Sequence, residues 1–308
     1  MKALNIVALT GSTGFIGSTI LNDLITHGFH VRVLVRNENK FTRSLPNSVE
    51  VIIGDLSNET ALSQLIDGAQ SLIHSAGRVR GKSYEEFKSD NVDGTKKLID
   101  IAAKSTHLSQ FIHISSLAAR QPALSNYSRS KHEGELLFTN NPFNKWVIIR
   151  PPAVYGPADT EIKPLFDWAR RGILWVLGNP RQQFSLLHVE DLSRLVMGLV
   201  ESNLTSQLIL EPDDGYIGNY DWHTIQKITS DYFNSKVRLV TLPSSMLLST
   251  AHLNVLFSKL IHYSPMLTPG KVRELAHDNW CSKTNSTIPQ WSPTIDLKKG
   301  LSTLYSPK

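Results

Sequence analysis

Several features that are common in other protein classes are scarce in this 308-residue sequence. It has a single cysteine, Cys281, which excludes an internal disulfide framework and favours a reducing, cytoplasmic compartment. Charged residues make up only 19% of the chain, the net charge is +5, and no long basic run is present. This mild basic excess suits an anionic small molecule and argues against a nucleic-acid partner.

Long apolar runs are also missing. The longest, Met246 to Ile261, is interrupted by polar residues and is too short to span a bilayer, so we predict no membrane span. We interpret it as a core helix of a smaller lobe; the alternatives are a membrane-surface face or a lid over an apolar substrate. The N-terminal residues run directly into a glycine motif without a separate apolar region, so we expect no signal peptide.

The sequence alternates between two hydrophobic periodicities up to Arg150. Short apolar runs predict buried strands at Ile6–Leu9, Val31–Val35, Val51–Ile53, Leu72–His74, Phe111–Ser115 and Val147–Ile149. Helical spacing lies between them, at Phe15–His27, Glu59–Ile66, Tyr84–Lys104 and Tyr127–Thr139. Such alternation predicts an α/β fold with a Rossmann doubly wound parallel sheet.

After Arg150 the pattern is broken by prolines and the elements become irregular. Helical spacing returns at Pro164–Arg171 and Asp191–Val200, and we expect the second of these helices to pack back on the sheet. We therefore expect residues 1–155, together with about 185–205, to form a dinucleotide-binding domain. Residues 156–184 and 206–308 are expected to form a smaller C-terminal substrate lobe.

The strongest motif follows the first predicted strand and opens the first helix. Glycines there allow a sharp turn and close approach to a pyrophosphate, while the helix N-terminus supplies free N–H groups. In this context a mere tight turn is the weaker interpretation. The expected cofactor-binding residues of the turn are Gly11, Ser12, Thr13, Gly14, Phe15, Ile16 and Gly17.

The end of the second strand indicates which dinucleotide is bound. An NAD site usually has an acidic residue about 20 residues after the glycines, whereas this chain has Arg36 there. A guanidinium matches a 2′-phosphate, and Arg43 could close over the same group. We therefore favour NADP(H), with NAD(H) as the alternative cofactor. The competing interpretation is that Arg36 is only a solvated strand-end charge.

Two further strand ends carry expected cofactor contacts. Asp55 and Leu56 follow the third strand, where the carboxylate could accept from an adenine amine. The small residues Ser75, Ala76 and Gly77 follow the fourth strand and would let a cofactor lie close.

The predicted catalytic residues follow the fifth strand. That strand ends at Ser116, and the next helix opens with Tyr127 and Lys131, which lie four residues apart on one helix face. A nearby ammonium would stabilise the phenolate and lower the pKa of Tyr127. The spacing alone is not specific, because Tyr84/Lys88 and Tyr232/Lys236 share it. Only the pair at Tyr127 follows a central, serine-ended strand.

Seven motifs follow one another between Ala3 and Val200 as in the extended short-chain dehydrogenases/reductases, which this sequence resembles. They are TGSTGFIG, HSAG, NVDGTKKL, FIHISSLAA, YSRSKHEGE, IIRPPAVYGP and LLHVEDL. The group includes the NAD-dependent epimerase/dehydratase family, 3β-hydroxysteroid dehydrogenases and dihydroflavonol-type reductases.

The resemblance implies roles for individual residues. Ser116 would orient the substrate, Tyr127 would be the acid/base, and Lys131 would bond the nicotinamide ribose. Asn91 would support a proton-relay water, unless it merely caps or kinks its helix. Ile114 and Pro151 would complete the cofactor site. The resemblance also suggests a homodimer formed through the helices at Tyr84–Lys104 and Tyr127–Thr139.

Two departures from the family pattern narrow the chemistry. Nucleotide-sugar members usually carry an asparagine where this chain has Ala153, and an arginine where it has Phe184. Loss of both anchors argues against a diphosphate substrate, although Arg181 could reach in instead. His188 and Asp191 lack a third ligand at supporting spacing, so we predict no metal.

Three hypotheses follow. The preferred one is an NADP(H)-dependent oxidoreductase that interconverts a hydroxyl and a carbonyl on a small or medium-sized, fairly apolar substrate. The second is a nucleotide-sugar epimerase or dehydratase with tightly bound NAD(P). The third is a non-catalytic NADP(H)-sensing protein, which an intact set of Ser116, Tyr127 and Lys131 argues against.

Overall fold

The computed structural model describes residues 5–41, 45–139, 141, 143–202, 207–243, 246–251, 254, 267–283 and 291–305. The elements of its first half, in chain order, are β1 (Ile6–Thr10), α1 (Phe15–Thr26), β2 (His30–Val35), β3 (Val49–Ile53), α2 (Glu59–Ile66), β4 (Ser71–His74), α3 (Tyr84–Lys88), α4 (Gly94–Ala102), β5 (Gln110–Ile114), α5 (Asn126–Thr139) and β6 (Trp146–Ile149). The elements of its second half are β7 (Ala153–Tyr155), α6 (Lys163–Arg170), β8 (Ile173–Leu177), β9 (Gln183–Phe184), β10 (Leu186–His188), α7 (Val189–Ser202), β11 (Leu208–Leu210), α8 (Trp222–Phe233), β12 (Arg238–Leu242), α9 (Pro269–Leu275), β13 (Asn279–Trp280) and α10 (Leu297–Leu304).

Seven strands form one parallel sheet in the order β11-β6-β5-β4-β1-β2-β3. The order reverses between β1 and β4, as in a doubly wound sheet, so the predicted fold class is confirmed. β4, β5 and β6 are buried along their whole length, which explains why they read as continuous apolar runs.

Helices cover both faces of the sheet. On one face α1 and α7 bury a core that includes Ile20, Leu24, Leu192 and Val196. On the other face the core is formed with α2, α4 and α5 and includes Phe111 and Phe138, whose rings meet edge to face. Because helices and strands alternate along the chain, all strands point the same way and their carboxyl ends lie at one edge.

A third hydrophobic core lies outside the sheet, around Tyr155, Phe166, Tyr220, Phe233 and Leu301. Around it lie short two-stranded pairings, β8 with β12, β7 with β10 and β9 with β13. We call this region the smaller lobe. One difference from the sequence-based division is that β11 joins the main sheet, although residue 206 was expected to begin the substrate lobe. A three-residue run is too short to show a strand by periodicity.

Among the described residues, none of the helices has the length and apolar character needed to cross a membrane. The predicted helix at Met246–Ile261 falls mostly outside those residues. Only residues 246–251 and 254 of it are described, and they are helical.

Candidate active site

The predicted site residues gather at one edge of the sheet because they follow the carboxyl ends of parallel strands. Gly11 follows β1, Ser75 follows β4 and Ser116 lies just past β5. The crevice between β1 and β4, where the strand order reverses, is where an open α/β sheet binds its ligand.

The glycine turn is too tight to accept a side chain at two of its positions, Gly11 and Gly17. Gly11 has φ +77°, and a Cβ there would lie 2.6 Å from the Ala76 backbone nitrogen. A Cβ on Gly17 would lie 2.1 Å from the Gly11 carbonyl oxygen, so this glycine allows α1 to approach β1. The Gly14 N–H donates to the Gly11 carbonyl at 2.9 Å and closes the turn.

This turn has the properties of a cradle for an anionic group. Gly14 caps α1 without a side-chain hydrogen bond, so no side chain closes the helix N-terminus. The Ser12 hydroxyl is buried and, within the described part of the chain, has no hydrogen-bond partner. A buried hydroxyl without a partner is costly, and a bound phosphate oxygen would satisfy it. Thr13 is exposed, and Phe15 and Ile16 are partly buried. The turn therefore fits a dinucleotide pyrophosphate.

The end of β2 carries an exposed cation near Asp55. Arg36 follows β2, is exposed, and makes no hydrogen bond or ion pair within the described ranges. Asp55 accepts from the Ser57 N–H and hydroxyl, and chiefly these bonds hold the pKa of its carboxyl below its usual value. Leu56 packs where a Cβ on Gly94 would lie. Arg43 lies outside the described residues.

A hydrogen-bonded chain that the sequence did not reveal joins the first two turns of the site. The Thr95 hydroxyl donates to the Asn91 carbonyl, so its oxygen accepts from His74 Nε2 at 3.1 Å. His74 Nδ1 then accepts from the Thr10 hydroxyl at 2.7 Å, and Thr10 Oγ1 accepts from the Ala76 N–H. Burial lowers the pKa of His74 to about 3, which keeps this neutral tautomer. Thr10 and His74 are the last residues of their strands, a position that could have pointed to them.

Asn91 sits in a π-helical turn, Ser89–Asp93, between α3 and α4. The amide of Asn91 clamps the loop after β4, because it accepts from the Arg78 N–H at 2.7 Å and donates to the Arg78 carbonyl at 3.0 Å. It also donates to the Ser130 hydroxyl at 2.9 Å. Asn91 thus lies at an irregular turn of its helix and ties the loop after β4 to α5. π turns occur frequently at functional sites.

Ser116, Tyr127 and Lys131 come together at the end of β5. Burial raises the pKa of Tyr127 to about 12, while a hydrogen bond with Ser116 acts in the opposite direction. Lys131 is buried and its ammonium donates to the Ile114 carbonyl at 2.9 Å. Burial also lowers the pKa of Lys131 to about 8. A Cβ on Gly77 would lie 3.6 Å from Lys131 Nζ, so the turn after β4 and the start of α5 adjoin.

One sequence-based expectation about this group is wrong. Lys131 was expected to lower the pKa of Tyr127, but the pKa is raised above its ordinary value. The physical reason is that desolvation of the phenolate outweighs the favourable interactions available to it here.

The two other Tyr/Lys pairs of the same spacing are used differently. The Tyr84 hydroxyl donates to Glu133, and Arg129 stacks on its ring at 4.0 Å. The Tyr232 hydroxyl donates to the Tyr305 carbonyl in the smaller lobe. Tyr84 opens α3, which follows β4, and Tyr232 lies near the end of α8, so neither lies at the end of β5 with Ser116.

A buried ionic network, also missed from sequence, supports the ends of β5 and β6. Arg150 donates to Glu135 at 2.5 Å and to Glu211 at 3.2 Å, and Arg120 also pairs with Glu211. The Leu117 N–H donates to the Pro151 carbonyl at 3.0 Å, which ties the two strand ends together. Each of these buried charges is paired and hydrogen-bonded, which offsets the cost of its desolvation.

The remaining predicted positions have structural contacts. Phe184 packs against Tyr220 and Trp222, while Ala153 and Arg181 are exposed. Asp191 is fully buried and accepts from the backbone N–H groups of Thr294 and Ile295.

His188 contacts the Thr303 hydroxyl. In the ranges that the structure describes, no three or more His, Cys, Asp or Glu side chains could together hold a metal ion.

The chain is similar to known proteins in both sequence and structure. Residues 7–207 match the model of the NAD dependent epimerase/dehydratase family. The chain is 35% identical to a ceramide reductase of Caulobacter vibrioides, over 93% of this chain and 88% of that protein. It is 26% identical to a decarboxylating sterol-4-alpha-carboxylate 3-dehydrogenase of Dictyostelium discoideum, over 85% and 88%. The structure of UDP-glucuronic acid 4-epimerase from Bacillus cereus, in complex with UDP-glucuronic acid and NAD, superposes with a TM-score of 0.73, 21% identity and 97% coverage of each chain.

Proposed function

The chain belongs to the NAD dependent epimerase/dehydratase family and is an NAD(P)-dependent oxidoreductase, and we propose that it uses NADP(H) to reduce a carbonyl on an apolar substrate. The observation that carries the proposal is the group of Ser116, Tyr127 and Lys131 at the end of β5, beside Gly77 in the turn after β4. We assign Tyr127 as the acid/base and the smaller lobe as the substrate-binding lobe.

In this proposal the bound cofactor supplies the hydride, and the protein handles the proton. With a pKa near 12, Tyr127 is protonated at neutral pH, which is the form that can donate a proton to the oxygen of a carbonyl being reduced. Ser116 Oγ holds that oxygen by a hydrogen bond. Lys131 is buried beside Gly77, where it can bond a ribose hydroxyl.

The cofactor preference rests on Arg36. Its guanidinium is exposed, makes no hydrogen bond or ion pair among the described residues, and follows the strand where an NAD site would carry a carboxylate. A 2′-phosphate would provide a bidentate, charge-assisted partner. We therefore propose NADP(H) rather than NAD(H).

The proposal that the substrate is apolar rests on two observations. The relatives with high coverage are named for a ceramide and a sterol, both lipids. Phe184, with its stacked aromatic neighbours, and Ala153 stand where nucleotide-sugar enzymes usually carry polar anchors. The first substrate to test is therefore a ceramide-type lipid in which a hydroxyl has been oxidised to a ketone.

The test is to screen lipid ketones with the purified protein while following NADPH consumption, and to titrate UDP-sugars by calorimetry. We expect turnover of a lipid ketone and no measurable UDP-sugar binding. Micromolar affinity for a UDP-sugar, with tightly retained NAD(P) and no ketone turnover, would instead identify an epimerase or dehydratase.

We also propose a cytoplasmic location and a homodimer formed through α3, α4 and α5. The exposed side chain of Leu136 on α5 supports such a contact. Sedimentation of the purified protein tests the dimer, and a Leu136→Glu variant should sediment as a monomer.

A further inference from the structure

Glu274 is an acidic side chain that is almost completely buried. It lies on α9, in the part of the chain proposed to bind substrate, and is only 6% exposed. Its Oε1 accepts from the hydroxyls of Ser125 and Ser128, and Lys271 Nζ donates to its Oε2 at 3.1 Å. A carboxylate this buried is stable only when its oxygens are paired in this way.

The two serines bonded to Glu274 lie on either side of Tyr127, at the start of α5. The Ser125 hydroxyl accepts from the Ser128 N–H at 3.0 Å, so it also serves as a cap for this helix. The Ser125 carbonyl accepts from the Arg129 N–H at 2.9 Å. A negative charge at a helix N-terminus is favourable, and here it comes from a residue 146 positions later in the chain.

Two other contacts hold α9 in place against this turn. A Cβ on Gly270 would lie 2.8 Å from Ser125 Cβ, so the helix approaches as closely as a glycine permits. Arg273 Nε donates to the Leu124 carbonyl at 2.9 Å. The start of the catalytic helix therefore contacts α9 at Gly270 and Arg273 as well as at Glu274.

We propose that Glu274 is a positioning residue for Tyr127, acting through Ser125 and Ser128 to hold the phenol in its reactive position. This proposal rests on the function proposed above for Tyr127. It adds that the residue comes from α9, so that the smaller lobe and the acid/base are positioned by the same contact. The negative charge of Glu274 also helps to raise the pKa of Tyr127, after burial.

The test compares Glu274→Leu, which removes the acceptor, with Glu274→Gln, which keeps an oxygen at nearly the same place. We measure kcat per cofactor-binding site, determined by NADPH titration, so that misfolded protein does not count. We expect Glu274→Leu to lower kcat about tenfold to a hundredfold with little change in NADPH affinity, because a displaced acid loses reactive geometry. Glu274→Gln should retain most of the wild-type kcat.

A second readout needs no substrate. The ¹³Cζ NMR signal of Tyr127, assigned with Tyr127→Phe, should move in Glu274→Leu and return in Glu274→Gln. This signal separates the two proposals, because a failed substrate screen leaves it intact. If Glu274→Leu does not fold, Ser125→Ala/Ser128→Ala removes the same bonds from the other side and should shift the same signal.

The matched controls are Asp191→Leu and Asp191→Asn, which change another fully buried carboxylate that ties the C-terminal residues down. They should cost stability but leave kcat per site and the Tyr127 signal unchanged. An unchanged kcat and signal in Glu274→Leu would overturn the proposal. So would a Glu274→Gln variant as impaired as Glu274→Leu, because an acceptor oxygen would then not be what matters.

Discussion

The chemical properties of individual side chains in this site depend on how deeply each is buried. Tyr127 is partly buried and Lys131 is buried, and desolvation displaces their pKa values towards the neutral form, to about 12 and about 8. Arg36, in contrast, is exposed at the end of β2, where its guanidinium can meet a ligand. The site thus combines a neutral proton donor in its interior with a cation at its rim.

At this scale the first prediction concerns Tyr127. Tyr127→Phe removes the proton source but little contact area, so we expect turnover to fall by roughly 10²–10⁴ while NADPH affinity stays nearly unchanged. Steady-state kinetics and cofactor titration measure the two quantities. Tyr84→Phe is the control, since it has the same spacing to a lysine and bonds Glu133 instead. Near wild-type activity in Tyr127→Phe would remove it as the acid/base.

The second prediction concerns Arg36. Arg36→Asp should reverse or erase the preference for NADPH over NADH, because it replaces charge-assisted bonds of about 1.5–3 kcal/mol each with repulsion of the 2′-phosphate. That corresponds to roughly tenfold to hundredfold in affinity. The ratio of kcat/KM for the two cofactors is the measurement.

The control for net charge is Arg238→Asp, on the exposed side of β12 in the smaller lobe. It should leave the cofactor ratio unchanged. The wild-type preference should also weaken as salt rises, because Arg36 is exposed. A ratio that Arg36→Asp does not move would mean that Arg36 is a solvated strand end only.

At the scale of elements, close backbone approach organises the site. α1 meets β1 at Gly17, α5 meets the π turn where a Cβ on Gly134 would lie 2.6 Å from the Asn91 carbonyl, and α9 meets α5 at Gly270. At each of these glycines an added side chain would force a whole helix to move, because the clash could not be relieved by a change of side-chain rotamer. The positions of the functional groups therefore depend on these glycines.

Gly17→Ala tests this dependence. The added Cβ would overlap the Gly11 carbonyl, so α1 must move and the pyrophosphate turn must open. We expect NADPH affinity to fall at least about tenfold, measured by fluorescence titration, with a loss of stability of about 1–3 kcal/mol. Gly198→Ala, on α7 with nothing within 4 Å, is the control and should stabilise the protein by roughly 0.5–1 kcal/mol. Unchanged affinity in Gly17→Ala would contradict the assignment of the turn.

On the scale of the whole molecule, the sheet carries buried neutral histidines at its centre. His113 stacks on His74 with ring centroids 5.2 Å apart and lies against Phe138. Its two ring nitrogens have no partner in the described part of the chain. Burial lowers the pKa of both histidines far below 6.5, to about 3 for His74. Asp214 is the opposite case, because burial raises its pKa to about 6.

These shifts predict how stability varies with pH. Below pH 6.5 the unfolded chain protonates its histidines while the folded one does not, so stability falls as pH drops towards 3. The loss in unfolding free energy is about 1.4 kcal/mol per pH unit for each of His74 and His113. Asp214 acts in the opposite sense, since the stability due to its raised pKa is present below 3.8 and is lost as pH rises through 6.

His113→Phe should therefore flatten the fall in unfolding free energy between pH 7 and pH 5, because a phenyl ring fills the same space without a proton to bind. Asp214→Asn should make the fall steeper. Urea unfolding at a series of pH values measures both. An unchanged slope in His113→Phe would show that His113 is not neutral and buried in the folded state.

The sequence by itself determined the parts of this protein that are encoded within a few neighbouring residues. Hydrophobic periodicity located the first six strands to within two residues, with β3 the least well placed at its start. Turn chemistry located the glycine turn, and the position just after a serine-ended central strand singled out Tyr127 and Lys131 among three pairs of the same spacing. These features are readable because their physical causes are local.

Only the tertiary structure decided how those parts act on one another. It placed His74 against Thr10, 64 residues away, and Glu274 against Ser128, 146 residues away. It introduced the π turn at Asn91, and it reversed the expected direction of the Tyr127 pKa shift. Burial and long-range pairing depend on which surfaces pack together, and no local pattern in the chain records that.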